Sequence, residues 1–158
     1  MAEQNDFPSS EIKKKIFRFC AYQERCHLEV KNKLYEWGVS KTAGDEIISD
    51  LITQGFLNEE RFARAYTGGK FRTKSWGRNK IKHSLESKGL TSNCIRAGMQ
   101  EIDDAEYLKT LKELILKKAE QITGENPYAT NDRIAKYVIQ KGFEPELVWK
   151  LIKEHNEP

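Results

Sequence analysis

No apolar run in this 158-residue sequence is longer than the four residues Phe19 to Tyr22, and a membrane helix needs roughly 18. A membrane-spanning helix is excluded. The opening MAEQNDFPSS has neither the basic start nor the apolar stretch of a secretory signal, so the cytoplasm is the expected setting. Cysteine is scarce as well: Cys20, Cys26 and Cys94 form no CxxC pair, and His27, His83 and His155 are scattered. Zinc-type ligand spacing is missing, and the thiols are expected to be structural. The phosphate-loop, dinucleotide, H-E-x-x-H and G-x-S-x-G patterns do not occur, and Gly68-Gly69-Lys70 is wrongly spaced for a phosphate loop. No catalytic residue, metal or cofactor is expected, and the chain is read as something other than an enzyme. Apolar residues are 38% and charged residues 32%, against averages of about 45 to 50% and about 25%. That balance implies a thin core under much solvated surface. Nor does any window alternate apolar and polar residues long enough to argue for a strand.

What the sequence does contain is a signature that occurs three times: Leu34 to Val39 (LYEWGV), Leu85 to Leu90 (LESKGL) and Val138 to Phe143 (VIQKGF). Aliphatic residues stand four and eight positions before each glycine, Leu34 and Val30, Leu85 and Ile81, Val138 and Ile134, which is one stripe of a helix. Ten residues after the glycines come Ile48, Met99 and Ile152, inside further helical patterns. Each glycine reads as the left-handed residue that stops a helix, with the apolar residue behind it closing the cap. Ser40 and Thr91 then start the next helices as N-caps, and Glu144-Pro145 starts the third. A further helix precedes each pair, opened by Ser10, by Asn58, and by Asp103 with a capping-box Glu106. Gly124 to Thr130 reads as a loop. The expected fold is therefore all-α: three tandem three-helix, helix-turn-helix-like repeats in an elongated, curved row. The expected boundaries are a flexible N-terminus over 1–9 and repeats over 10–56, 57–102 (basic) and 103–158.

Charge is uneven along these repeats. Residues 61–96 hold ten Lys or Arg against the single acid Glu86, a net +9, whereas residues 1–60 and 97–158 are each at −3. Such a segment repels itself, which argues for a polyanionic partner or an acidic protein groove. The candidate contacts are Arg61, Arg64, Lys70, Phe71, Arg72, Lys74, Arg78, Lys80 and Lys82. At roughly 100° per residue an unbroken helix puts Phe71 beside Arg64 and away from the stripe of Phe62, Tyr66 and Thr73, where it could stack on bases or dock on a protein. A kink at Gly68-Gly69 would return it to the core. Trp76, before Gly77, reads as a core anchor at a corner between helices. The second helix of each pair, which would enter a major groove in a sequence-specific reader, carries Lys41, Asp45, Glu46 and Asp50 in the first repeat, and Arg96 and Glu101 in the second. Neither is basic, so operator reading is not expected.

Gly55-Phe56-Leu57-Asn58-Glu59-Glu60-Arg61-Phe62-Ala63-Arg64-Ala65-Tyr66, continued by Lys70, Trp76-Gly77, Ile81, Leu85 and Lys88-Gly89-Leu90, resembles the RecX regulatory proteins of bacterial recombination across about 35 residues. The first repeat resembles that family's opening helix pair through Glu29-Val30 and Lys33-Leu34, with Cys26 where the family usually has a serine cap. The resemblance implies a small all-α protein that binds the RecA recombinase. Family members lodge in the groove of the RecA filament on single-stranded DNA and damp its ATPase, strand-exchange and coprotease activities. The implied partners are the RecA filament and single-stranded or double-stranded DNA, with no membrane role and the protein itself a monomer. A stand-alone, sequence-nonspecific nucleic-acid-binding protein is the alternative reading.

Overall fold

The computed structural model describes residues 9–124 and 126–157. Among them are nine α-helices and no strand: α1 (Ser10–Tyr22), α2 (His27–Glu36), α3 (Lys41–Thr53), α4 (Glu59–Lys74), α5 (Arg78–Ser87), α6 (Ser92–Met99), α7 (Asp104–Gln121), α8 (Pro127–Gln140) and α9 (Pro145–Asn156). In chain order they form three tandem groups of three. Of the expected flexible N-terminus, residues 1–8 lie outside the described residues.

Local chemistry sets the helix ends. Ser40 Oγ accepts the Ala43 amide at 3.2 Å, Thr91 Oγ1 that of Cys94 at 3.3 Å, Asn58 Oδ1 that of Arg61 at 2.9 Å and Asp103 Oδ2 that of Glu106 at 3.0 Å. Each bond satisfies an amide that the first helical turn leaves without a partner. The cap of α1 is Ser9, whose Oγ accepts from Ile12, so that helix starts one residue earlier than Ser10 as a cap would place it. Cys26 holds the N-cap position of α2, and Glu29 reaches back to accept its amide at 3.0 Å. The loop expected over Gly124 to Thr130 is shorter: Asn126 Oδ1 accepts the Ala129 amide, Pro127 takes the first helical position, and Tyr128 to Thr130 already belong to α8.

The three signature glycines have φ of +79° at Gly38, +82° at Gly89 and +105° at Gly142. In each case the amide after the glycine returns to the carbonyl five residues earlier: Val39 to Leu34, Leu90 to Leu85 and Phe143 to Val138, at 3.0, 3.3 and 3.4 Å. These are Schellman closures, and they explain why an aliphatic residue recurs before the glycine and an apolar one after it.

Packing groups the helices into two compact units. Among the described residues, the first comprises 9–65 with Leu85–Gly98, the second Tyr66–Ser84 with 99–124 and 126–157. The first unit is built around Ile16, Val30, Leu34, Val39, Ile47, Leu51 and Leu57, with Phe17 edge-on to Phe56 at 4.9 Å. The second buries Phe71, Ile81, Tyr107, Leu111, Ile115, Ile134, Val138, Phe143, Val148 and Ile152. There Tyr107 stacks on Phe143 at 4.9 Å and meets Phe71 at 5.8 Å.

Candidate functional site

The basic segment lies on α4, α5 and the corner joining them. α4 runs through Gly68-Gly69 without interruption, yet Phe71 is only 6% exposed. The expectation that an unbroken helix would carry Phe71 out among the arginines is corrected. Its buried side chains are Phe62 and Ala63, then Thr67 and Phe71, and steps of four rotate the stripe by roughly 40° each. The helix thereby supplies Phe62 to the core of the first unit and Phe71 to that of the second, and a single stripe drawn through Phe62, Tyr66 and Thr73 missed the change of face.

Three of the candidate arginines are engaged within the protein. In the first unit, Arg61 Nε lies 2.5 Å from Glu24 Oε1 and its Nη2 donates to the Gly55 carbonyl, while Arg64 Nη2 lies 3.0 Å from Glu60 Oε1. In the second, Arg78 pairs with Asp104 at 2.6 Å and with Glu144 at 3.4 Å, and its guanidinium sits 3.9 Å above the Tyr107 ring. The Tyr107 hydroxyl accepts the Arg78 amide at 3.0 Å and donates to Glu144 Oε1. Burial, followed by donation to Glu144, raises the phenol's pKa, which keeps it a neutral donor. Arg78 is thus a brace that fixes the start of α5, not a free cation.

Two of the remaining cations flank Trp76 in the second unit. The indole is half-buried, with Lys70 Nζ 5.0 Å and Lys80 Nζ 4.4 Å from its ring centre. It is a corner residue as expected, but one that holds two ammonium groups by cation–π attraction instead of vanishing into the core. The corner is tight. Gly77 donates to the Lys141 carbonyl at 2.8 Å and Asn79 to the Gly142 carbonyl at 2.9 Å, and a Cβ at Gly77 would fall on the Gly142–Phe143 backbone. Ser75, with φ of +53°, turns the chain from α4 into this corner. Lys141 Nζ donates to the Lys74 carbonyl at 3.1 Å, capping the end of α4.

Helix dipoles separate the structural cations from the others. Arg72 and Lys74 occupy the last turn of α4, where positive charge is favourable, whereas Lys80 lies in the first turn of α5, which has no acid and where positive charge is unfavourable. Lys74, Lys80 and Lys82 are exposed, and Arg72 lies exposed over Gly68. The arrangement presents Lys70, Arg72, Lys74, Lys80 and Lys82 to an outside anion. These cations were visible in the sequence, but nothing in it signalled the Asp104, Tyr107 and Glu144 brace that withdraws Arg78, because those partners lie 26 to 66 residues away.

No cluster of three or more His, Cys, Asp or Glu able to hold a metal occurs among the described residues. Cys20 and Cys26 are buried, and desolvation pushes both thiols up to about 11, which disfavours the nucleophilic thiolate. No helix among the described residues is long and apolar enough to cross a membrane.

Residues 58–99 match the family model for the second three-helix domain of RecX. Over 129 residues the chain is 27% identical to the Regulatory protein RecX of Lactobacillus johnsonii, covering 82% of this chain and 48% of that protein. Over 149 residues it is 23% identical to the Regulatory protein RecX of Chlorobium limicola, covering 94% and 89%. The chain thus spans about half the length of the first of these relatives and most of the second. The crystal structure of RecX from Lactobacillus salivarius superposes with a TM-score of 0.82 over 92% of this chain and 94% of that one, at 23% identity, a likeness of fold.

Proposed function

Because the chain belongs to the RecX family, we propose that it binds RecA and the RecA filament on single-stranded DNA and inhibits the recombinase, ATPase and coprotease activities of that filament. It does so as a cytoplasmic, non-enzymatic monomer without a cofactor, and the spans 10–56, 57–102 and 103–158 are its repeating units. The observation that carries the reading, beside the family, is the set of cations on α4 and α5 without an acidic partner in the second unit: Lys70, Arg72, Lys74, Lys80 and Lys82. Phe71 and Arg78 hold α4 and α5 of that unit in place, while Arg61 and Arg64 are candidate contacts on the first unit that are paired with Glu24 and Glu60. A polyanionic surface, whether an acidic groove of RecA or the phosphates of the strand it coats, supplies the opposite charge.

The same cations favour a second reading, a stand-alone nucleic-acid-binding protein that coats single- or double-stranded DNA. A RecA-dependent ATPase assay on single-stranded DNA separates the two. Inhibition at protein levels far below those that saturate the DNA supports RecA binding. Inhibition that appears only as DNA becomes saturated supports the coating protein and overturns the first reading.

A further inference from the structure

We propose that the exposed stripe of Lys14, Arg18 and Tyr22 on α1 is a second contact for single-stranded nucleic acid, with the two cations on phosphates and the tyrosine ring stacked on a base. The reading does not depend on RecA, and it concerns the first unit, where the net charge of −3 over residues 1–60 gives no hint of a basic surface.

The hint comes from asking which charges are already engaged. Glu24 is bound to Arg61, Glu29 to the Cys26 amide, Glu36 to Lys33, Glu59 to His27 and Glu60 to Arg64. Among the cations, Lys15 lies over Trp37, and Arg25 lies 3.7 Å above Phe19 while donating to the Phe19 carbonyl. Removing these leaves Lys13, Lys14 and Arg18 on α1, with Glu11 the helix's one acid, while the acids that remain on the other helices, Asp45, Glu46 and Asp50, are all on α3. All three cations are exposed.

Their placement is costly without a partner. Lys13 sits in the first turn of α1, where the dipole disfavours positive charge, and Lys14 and Arg18 are like charges at i,i+4, which repel, with Glu11 three residues before Lys14 the one acid near them. Neither position contributes to the core, which α1 meets through Ile16 and Cys20 on its other face. Four residues beyond Arg18, in the last position of the helix, Tyr22 is 83% exposed. Lys14, Arg18 and Tyr22 therefore follow one another along a single face at a rise of about 6 Å per step. Cations that track a backbone, in line with an exposed aromatic ring, are the elements by which proteins hold single strands without reading sequence. An acidic protein surface would satisfy the cations but would leave the tyrosine ring without a role.

The test uses the full chain and fluorescence anisotropy of a labelled oligothymidylate over a range of salt concentrations. The double variant Lys14→Glu with Arg18→Glu is expected to bind more weakly, with its log–log salt slope flattened by about 1.4, or about 0.7 for each of two lost contacts. Tyr22→Ala is expected to lose about fivefold or more in affinity at unchanged slope, and Tyr22→Phe to bind as the parent does. Circular dichroism should show parental helix content throughout, since all three side chains are exposed. Parental binding by the charge variant or by Tyr22→Ala overturns the proposal. So does a charge variant that loses RecA inhibition while keeping its DNA affinity, which would make the stripe a contact for an acidic protein. Variants of the cations on α4 and α5 test the RecA reading separately.

Discussion

Tyr107→Phe isolates the hydroxyl that ties α5, α7 and the start of α9 together in the second unit. The ring stays, and with it the stacking on Phe143 at 4.9 Å and the cover over Arg78 at 3.9 Å. The hydroxyl's donation to the Glu144 carboxylate is lost, and the Arg78 amide is left without its acceptor. A hydrogen bond to a charged partner contributes about 1.5 to 3 kcal/mol, and a buried donor left unpaired costs about 1 to 3 kcal/mol. The Arg78 and Glu144 side chains are about one-third exposed, so water recovers part of both. The expected loss is about 2 kcal/mol, or about 4 to 8 °C in Tm for a chain of this size. Urea and thermal unfolding followed by circular dichroism measure it. In a Glu144→Gln background the same substitution should cost less, because the charged acceptor is already gone. The phenol's raised pKa adds a pH dependence. The folded state holds that proton more tightly than the unfolded chain does, so the contribution is complete below the ordinary tyrosine value of about 10 and declines as pH rises above it. Tyr107→Phe should lack this part of the alkaline decline. A loss under about 0.5 kcal/mol, or an equal loss in the Glu144→Gln background and in the parent, would refute the reasoning.

Gly89→Ala, at φ +82° in open space, should lose about 1 kcal/mol in urea unfolding, whereas Gly77→Ala should lose at least about 2 kcal/mol because its Cβ meets backbone. Thr67 is fully buried with no partner for its hydroxyl, so Thr67→Val should raise stability by about 1 kcal/mol in the same experiment. The thiols of Cys20 and Cys26, pushed up to about 11, bind their protons more tightly when folded. Stability should therefore fall as pH climbs from about 9 through 11, and less steeply in Cys20→Ala with Cys26→Ala. Replacing Arg72, Lys74 and Lys80 by Glu should weaken RecA inhibition and flatten the salt slope of DNA binding by up to about 2.1, or about 0.7 per contact, without loss of helix. An Arg78→Glu change should instead appear as lost stability.

The helices and their ends were legible in the sequence because a cap or a stop is decided within five residues. Ser40, Asn58, Thr91 and Asp103 needed only their own neighbours, and so did Gly38, Gly89 and Gly142. What could not be read was anything settled by distant partners. Phe71 is buried because Tyr107 waits for it, and Arg78 is neutralised by Asp104 and Glu144. Charge summed along residues 61–96 found the basic segment but treated every cation in it as equal. The same sum over residues 1–60 concealed α1, because it pools that helix with acids carried elsewhere, Asp45, Glu46 and Asp50 of α3 among them. Trp76 fell between the two cases: its place at the corner followed from Gly77, but its hold on Lys70 and Lys80 did not.

The division of the chain between the two units has a consequence for synthesis on the ribosome. The first unit can close once Gly98 has emerged, but Tyr66–Ser84, made earlier, belongs to the second. That segment carries Lys70, Arg72, Lys74, Lys80 and Lys82, and it must wait for Tyr107 and Phe143 before Phe71 has a core to enter. A chain stopped after residue 102 would therefore contain every one of those cations without the core that fixes the helices bearing them. The charge of the candidate surface is written in the middle of the gene, and its shape is supplied by the last third.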